Sequence, residues 1–190
     1  MKTLSVVKPI HRSPLRRRAL LLIGPPLVII AALTAVPARA TPQSGVTSVT
    51  IANGTFADID VYAKTDIDPT ESAYYWKAAI STKGASHLYL VQNTVAPLGT
   101  FGWHSHPGPS LVIVKSGTAT EYEGDDPTCT PHLHPAGSTF VDAGEASGHL
   151  VRNESLTDNL VVIVVRLIPE ALVPTQRIDL PNPGYCPNIN

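Results

Sequence analysis

Three histidines form the chemically most informative pattern of the chain. His104 and His106 lie two residues apart in the run Trp-His-Ser-His-Pro-Gly at residues 103–108. Side chains at positions i and i+2 of an extended strand project from the same face. If that face looks into a closed barrel, the two imidazoles converge, and the distant His149 can complete a site for a first-row metal. Ligand type alone does not choose among iron, copper, zinc, nickel and manganese.

The first forty residues predict export. Six lysines and arginines precede an apolar stretch at residues 19–36, and Ala38-Arg39-Ala40 fits the small-x-small rule for signal peptidase. We expect a signal peptide over residues 1–40 and a single mature domain over residues 41–190. The alternative is an uncleaved membrane anchor, because eighteen apolar residues approach the length that spans a bilayer.

The charge of the mature domain differs from that of the whole chain. Seven lysines and arginines and fifteen acids lie beyond residue 40, which gives a net charge of −8. An acidic surface argues against nucleic acid and against anionic membranes as partners. We therefore expect a secreted or extracytoplasmic bacterial protein that binds a small molecule and does not bind a membrane after the signal is removed.

Two cysteines, Cys129 and Cys186, lie in turn-like neighbourhoods. In an exported protein such a pair is most simply a disulfide, which here would attach the C-terminal tail to the domain. Two free thiols are the alternative.

Short strand-like runs separated by glycine and proline dominate the mature domain, without a long amphipathic helix. The strands are expected at residues 46–51, 59–63, 87–94, 111–115, 118–122, 138–141, 149–151 and 160–167. Residues 71–79 suggest one short helix or an irregular loop. Residues 161–165 are apolar on both faces and predict a central strand. Many short strands at this spacing indicate an all-β sandwich or small barrel, whose interior can hold a metal or one small ligand.

Two glycine- and histidine-containing stretches resemble the motifs of the cupin superfamily. The first resembles its motif at Gly99, His104, His106, Ser110 and Gly117, and the second at Gly137, residues 142–144, His149 and Asn153. The resemblance covers Leu88 to Leu167. In detail the chain is most similar to small single-domain exported cupins of actinobacteria, in residues 102–108 and 124–129. The resemblance implies a jelly-roll-like antiparallel β-barrel, metal ligation by His104, His106 and His149, and a homodimer.

The chain departs from the cupin pattern at one metal ligand. Ser110 replaces the glutamate of the first motif, and a serine hydroxyl is a poor ligand for a divalent cation. The resemblance therefore implies a three-histidine site without a carboxylate, which favours manganese less than the other metals. The histidines could instead be ordinary structural residues, or the barrel could bind an organic ligand without metal.

Other side chains are weaker candidates for the cavity. Gln92, before the first motif, is expected by resemblance to point into the barrel. Glu121 either supplies a replacement carboxylate or faces solvent, as charged strand residues usually do. A second His-x-His pair, His132 and His134, lies between prolines, where a solvated loop or edge strand is favoured over a metal site.

The chain has no Ser-His-Asp order, no reactive cysteine and no phosphate-binding glycine loop, so catalysis would depend on the metal. Three histidine ligands leave positions open for substrate and for dioxygen or water. Since three-histidine cupins include oxygenases, we expect an exported metal-binding cupin that acts on or binds a small organic molecule, with oxygenase chemistry. A non-catalytic binding barrel is the alternative, and a Lewis-acid isomerase or lyase is a third.

Overall fold

The computed structural model describes residues 40–66, 75–144 and 147–189. The predicted signal peptide, apart from Ala40, lies outside these residues. The strands are β1 (Ser44–Phe56), β2 (Asp60–Asp66), β3 (Tyr75–Ser81), β4 (Ser86–Ser105), β5 (Ser110–Ser116), β6 (Thr118–Glu123), β7 (His132–Pro135), β8 (Thr139–Asp142), β9 (His149–Asn153), β10 (Leu160–Pro169) and β11 (Ile178–Asp179). A 3-10 helix spans Glu170–Leu172. None of the helical structure in the described ranges is long and apolar enough to cross a membrane.

All the strands pair antiparallel, and the long strand β4 belongs to both halves of the main sheet. Its first half pairs with β1 and β10, and β5 and β8 continue from β10; we name these strands the first layer. Its second half pairs with β9 and β11, and β6 and β7 continue from β9; we name these the second layer. This arrangement confirms the expected all-β, jelly-roll-like antiparallel barrel.

The core lies between the two layers. Inward residues of β5 and β10, including Val112, Val114 and Val162, pack in one cluster with Ala119 and Val151 of the second layer. Burial alternates along β5 and β10, as the side-chain period of two requires. Each fully buried aliphatic side chain of this kind stabilises the fold by about 1.5–3 kcal/mol relative to exposure.

The C-terminal tail covers the outer face of the second layer. Trp103, Tyr122 and Leu150 point outward from β4, β6 and β9, and they pack with Cys186 in a second apolar cluster. Cys129 and Cys186 form a disulfide across 57 residues, which confirms the predicted pairing. The tail thus buries an apolar surface that would otherwise face water.

Two elements differ from the sequence expectation. The expected helix or loop at residues 71–79 is wrong for its described part, because β3 pairs there with β2 in a separate two-stranded sheet. The apolar residues Trp76, Ala78 and Ile80 occupy every second position, which is the side-chain period of a strand. Residues 71–74 lie outside the described ranges. The second His-x-His pair forms β7, an edge strand of the second layer, as favoured from its prolines.

Candidate functional site

The structure brings His104, His106 and His149 together. One ring nitrogen of each lies within 4.8 Å of the others, and all three side chains are buried. His104 and His149 are direct partners across the pairing of β4 with β9, and His106 follows the end of β4. The three residues expected from their spacing therefore form one cluster inside the barrel.

Each histidine is held from behind through Nδ1. His104 Nδ1 lies 2.9 Å from the carbonyl oxygen of Gly102, and His106 Nδ1 lies 2.7 Å from that of Gln176. Since a carbonyl oxygen only accepts, both Nδ1 atoms carry the proton and both Nε2 atoms are acceptors; that of His106 accepts from Arg166 Nη2. Gly102 adopts φ +69° at an irregularity of the β4 pairing, and a Cβ there would collide with the Thr41 carbonyl, so this position of β4 requires glycine.

Glu121 holds the third histidine. Its Oε1 lies 2.7 Å from His149 Nδ1, and its Oε2 lies 2.9 Å from His134 Nε2. Glu121 is 5% exposed, so it does not face solvent as charged strand residues usually do. A carboxylate behind a histidine fixes the ring orientation and raises its basicity, which is a common arrangement behind metal-ligating histidines. Glu121 thus positions His149 from the side away from the main cavity.

The environment keeps two of the rings uncharged at neutral pH. Burial, together with neighbouring His149, Arg177 and His106, holds the pKa of His104 well below its usual value. Burial and the Arg166 guanidinium lower the pKa of His106 to about 3. A neutral imidazole is the form that binds a metal.

The pKa values of His149 and Glu121 are shifted in opposite directions by their interaction. Burial alone would lower the pKa of His149, but its hydrogen bond to Glu121 and the charge of Asp142 outweigh burial and raise that pKa. Burial alone would raise the pKa of Glu121, but hydrogen bonds and charge interactions with His149 and His134 lower it. Glu121 is therefore ionised at neutral pH, and His149 donates to it through Nδ1.

Ser110 lies in a row of three inward residues on neighbouring strands. Arg166 of β10 faces Ser110 of β5, and Ser110 in turn faces Asp142 of β8. Arg166 Nε donates to Ser110 Oγ at 2.9 Å. Ser110 is 1% exposed and lines the cavity, as expected. Its hydroxyl oxygen accepts the hydrogen bond from the guanidinium.

Asp142 places a carboxylate beside the histidines, which the sequence analysis did not foresee. Its Oδ2 lies 3.4 Å from His106 Nε2 and 3.5 Å from His149 Nε2. This oxygen is buried and has no hydrogen-bond partner among the described residues. The other oxygen accepts from the backbone N–H of Gly144. The parity of Asp142 with inward Phe140 of β8 was the available signal.

Gln92 does not reach the cavity, so that expectation is wrong. Its neighbours Val91 and Asn93 line the cavity instead, and because strand side chains alternate, Gln92 points outward. There Gln92 Oε1 accepts from Lys115 Nζ at 3.2 Å. The resemblance located the correct strand and the wrong face of it.

The histidines line a cavity of about 210 Å³ inside the barrel. Its apolar wall comes from valines and two phenylalanines: Val91, Phe101, Val112, Phe140, Val151, Val162 and Val164. Arg166 and Arg177 lie on the polar side with Asp142 and the histidines. Uncharged polar side chains also line it: Gln43, Ser48, Thr50, Asn93 and Gln176. The cavity thus combines apolar side chains with polar and charged groups, as sites for small organic molecules do.

Searches of protein-family models and of curated proteins found no match. Among solved structures, a cupin-like protein of Thermotoga maritima matches with TM-score 0.41 and 20% identity over 50% of this chain and 65% of that one. The polyketide cyclase RemF of Streptomyces resistomycificus matches with TM-score 0.40 and 17% identity over 52% and 66%. A double-stranded β-helix domain protein of Klebsiella pneumoniae matches with TM-score 0.36 and 20% identity over 43% and 67%. The matches span about two thirds of each of these structures.

The order of the strands and the position of both motifs on the inner faces agree with the resemblance seen in the sequence. The chain has the cupin fold. In this cupin barrel the two motif histidines of β4 and the histidine of β9 meet because those two strands pair.

A divalent transition metal fits the donor set of this cupin. Three buried imidazoles with one ring nitrogen each in a single cluster, and one unpartnered carboxylate oxygen beside two of them, are nitrogen and oxygen donors of the kind such ions prefer. The hydrogen bonds behind the rings supply the supporting shell that such a site needs.

Proposed function

We propose that this protein is an exported cupin that holds a divalent transition metal and acts on or binds a small organic molecule beside it. The single observation that carries the proposal is the cluster of His104, His106 and His149 on the wall of a cavity inside the barrel. Their buried ring nitrogens point to a metal, and the adjoining space has the size of a small molecule.

His104, His106 and His149 would hold the metal through Nε2, because their Nδ1 atoms are engaged elsewhere. The candidates are iron, copper, zinc, nickel and manganese. Asp142 would add an oxygen donor, which improves the fit to manganese compared with histidines alone. When bound, iron or copper would supply oxygenase chemistry, and the other metals would supply Lewis-acid chemistry.

Arg166 has to change partner when the metal enters. Its Nη2 donates to His106 Nε2 at 2.9 Å, so the guanidinium occupies the lone pair that a metal needs. Asp142 lies beside the same nitrogen and attracts the guanidinium electrostatically. Arg166 is therefore free to turn toward a carboxylate of Asp142 or of a ligand once the metal takes His106.

Two functional classes remain for this site. Oxygenase catalysis needs a redox-active metal, whereas a binding protein needs only a stable complex. Tyr122, His87 and Glu145 are further residues whose side chains could transfer a proton. Tyr122 bonds Glu154 and His87 bonds Glu170, and neither lines the cavity. Glu145 lies outside the described residues. Few groups in the described cavity wall could transfer a proton. This observation favours a non-catalytic binding protein as the second candidate function.

Export is supported by the disulfide. Disulfides persist in oxidising compartments, and Cys129 and Cys186 are paired. Cleavage after Ala40 is tested by N-terminal sequencing of the protein secreted by a bacterial host. A mature N-terminus at Thr41 supports the signal peptide, and a retained leader supports the membrane anchor.

Elemental analysis by mass spectrometry tests the metal. We expect about one equivalent of a transition metal per chain in the exported protein and loss of that metal in the His104→Ala, His106→Ala, His149→Ala triple variant. One equivalent of iron or copper leads to an oxygen-uptake screen. Absence of metal from a folded wild-type protein, even after incubation with each of the five ions, would overturn the metal site.

A further inference from the structure

Two guanidinium groups line the same small cavity. Arg166 comes from the inner face of β10, and Arg177 comes from the segment just before β11. Asp142 is the one carboxylate among the described residues of the cavity wall. The protein therefore directs two positive charges and one negative charge at the cavity before any metal binds.

Arg177 keeps unused hydrogen-bond donors at this site. Its Nε donates to Asp179 Oδ1 at 2.6 Å, and its Nη2 donates to the carbonyl oxygen of Phe101. Its Nη1 is buried without a hydrogen-bond partner among the described residues. Since a guanidinium carries five N–H donors in a fixed plane, both N–H groups of Nη1 remain available. A buried donor without an acceptor is costly, which indicates that a ligand supplies one.

Arg166 is better satisfied but still has capacity. Its three nitrogens donate once each, to Ser110 Oγ, to the Gln176 carbonyl oxygen at 3.3 Å and to His106 Nε2. Two of its five N–H donors are therefore unspent. The bond to His106 is also the one that metal entry would release.

From these contacts we infer that the cavity takes a small organic anion: a carboxylate with a short apolar body, its charged end at Arg166 and Arg177. This inference rests on the proposed function, because it names the class of molecule that the same site would take. A guanidinium binds a carboxylate through two parallel N–H donors, a geometry that a neutral hydroxyl cannot match. A divalent ion would add two positive charges, so an anion would compensate the buried charge.

The apolar side chains of the cavity indicate the chemistry of the rest of the ligand. Valine and phenylalanine side chains, among them Val91, Val162 and Phe140, form the apolar side of the cavity. A cavity of about 210 Å³ has room for a small carboxylate.

Calorimetric titration with butyrate and with 1-butanol tests the inference. The two probes share an apolar chain and differ in charge, and each is titrated into the mature protein in zinc-loaded and chelator-treated form. We expect butyrate to bind at least tenfold more tightly than 1-butanol. Arg177→Gln should abolish most of this preference, whereas Lys115→Gln, which removes a positive charge from the outer face of β5, should retain it.

A second measurement, made on the wild-type protein, does not depend on the folding of a variant. In wild-type protein, butyrate should shift the Arg177 Nε–Hε resonance in nitrogen-15 NMR spectra, and 1-butanol should not. Equal affinity for both probes, or a butyrate preference that survives in folded Arg177→Gln, would overturn the inference. Zinc binding without a butyrate preference would overturn the anion inference and support the metal site. A butyrate preference without zinc binding would support the anion inference and overturn the metal site.

Discussion

Asp142 stands directly opposite Ser110 in the antiparallel pairing of β5 with β8. Ser110 occupies the place where the cupin motif has its glutamate, and Asp142 brings a carboxylate to the same side of the barrel one strand away. The loss of a ligand at one position is therefore matched by an acid at its cross-strand neighbour. The short serine side chain also leaves space for that acid and for Arg166.

Asp142→Asn should weaken metal binding. Asparagine keeps the size of the side chain and removes the charge next to His106 and His149, so we expect zinc affinity to fall by about tenfold or more. Competition with a chromophoric chelator measures the affinity. Asp60→Asn, an exposed acid on β2, is the matched control and should leave it unchanged. Equal affinity in Asp142→Asn and wild type would show that Asp142 is not a ligand.

Glu121→Gln should reduce metal affinity with little change in the fold. The amide oxygen can still accept from His149 Nδ1, but the negative charge that favours a basic imidazole is gone. Removing such a partner costs about 10–100-fold in affinity. The same chelator competition measures the loss, and thermal unfolding of the metal-free protein shows whether the fold is intact. An unchanged affinity would mean that Glu121 stabilises the fold and does not contribute to metal binding.

Most of the strands and the three histidines could be predicted because periodicity and spacing are local signals. His104 and His106 share a face by their two-residue separation, and the apolar alternation of β5 and β10 is visible in the sequence. The face on which a polar residue lies is not local. The resemblance predicts Gln92 inside the barrel, but Gln92 lies outside, because its orientation depends on whether odd or even positions of β4 meet the other layer.

The two carboxylates of the site show the same limit. Glu121 and Asp142 are acids on strands, and acids usually face water. Glu121 is buried because two histidines on β9 and β7 reach its two oxygens, and these partners become neighbours only through strand pairing. A sequence shows the acids and the histidines, and it does not show which of them meet.

Replacing both cysteines by serine should destabilise the protein. In the chain-entropy model, a disulfide that closes a loop of 57 residues stabilises by about 4 kcal/mol. Cys186 also packs against Trp103 and Leu150, so its loss loosens the cover of the second layer. Chemical denaturation measures the change in the free energy of unfolding. A double serine variant as stable as the wild type would show that packing alone holds the tail.

Asp126 should stabilise the turn before Cys129 in a pH-dependent way. A hydrogen bond from the Thr128 hydroxyl, then backbone N–H groups of Thr130 and Thr128, lower the pKa of Asp126. Because the folded pKa lies below the unfolded one, this stability is present above the unfolded pKa and is lost as pH falls through the folded pKa. Asp126→Asn should therefore lower Tm at pH 7, and the difference should shrink below about pH 4. A difference that is constant with pH would contradict this.

The outer face of the first layer exposes several apolar side chains, and a homodimer, which the resemblance implies, would cover them. Ile113 faces Ile163 of β10, and Val49, Leu111 and Val141 are exposed on neighbouring strands. Ile113→Glu should convert a dimer to a monomer, as measured by light scattering after gel filtration. Ile80→Glu is the control, since Ile80 is 48% exposed on β3 and Ile113 is 47% exposed. A monomeric wild-type protein, or a dimer in Ile113→Glu, would refute this interface.

The C-terminal tail supplies parts of the site as well as its outer cover. The Gln176 carbonyl accepts from His106, Arg177 lines the cavity, and β11 pairs with β4 at His104 and Ser105. These residues follow all three histidines of the cluster in the sequence. A nascent chain that ends before residue 176 already carries every histidine of the cluster but lacks the group that orients one of them. Removing the tail would leave the three histidines in the barrel and take away the carbonyl oxygen that orients His106.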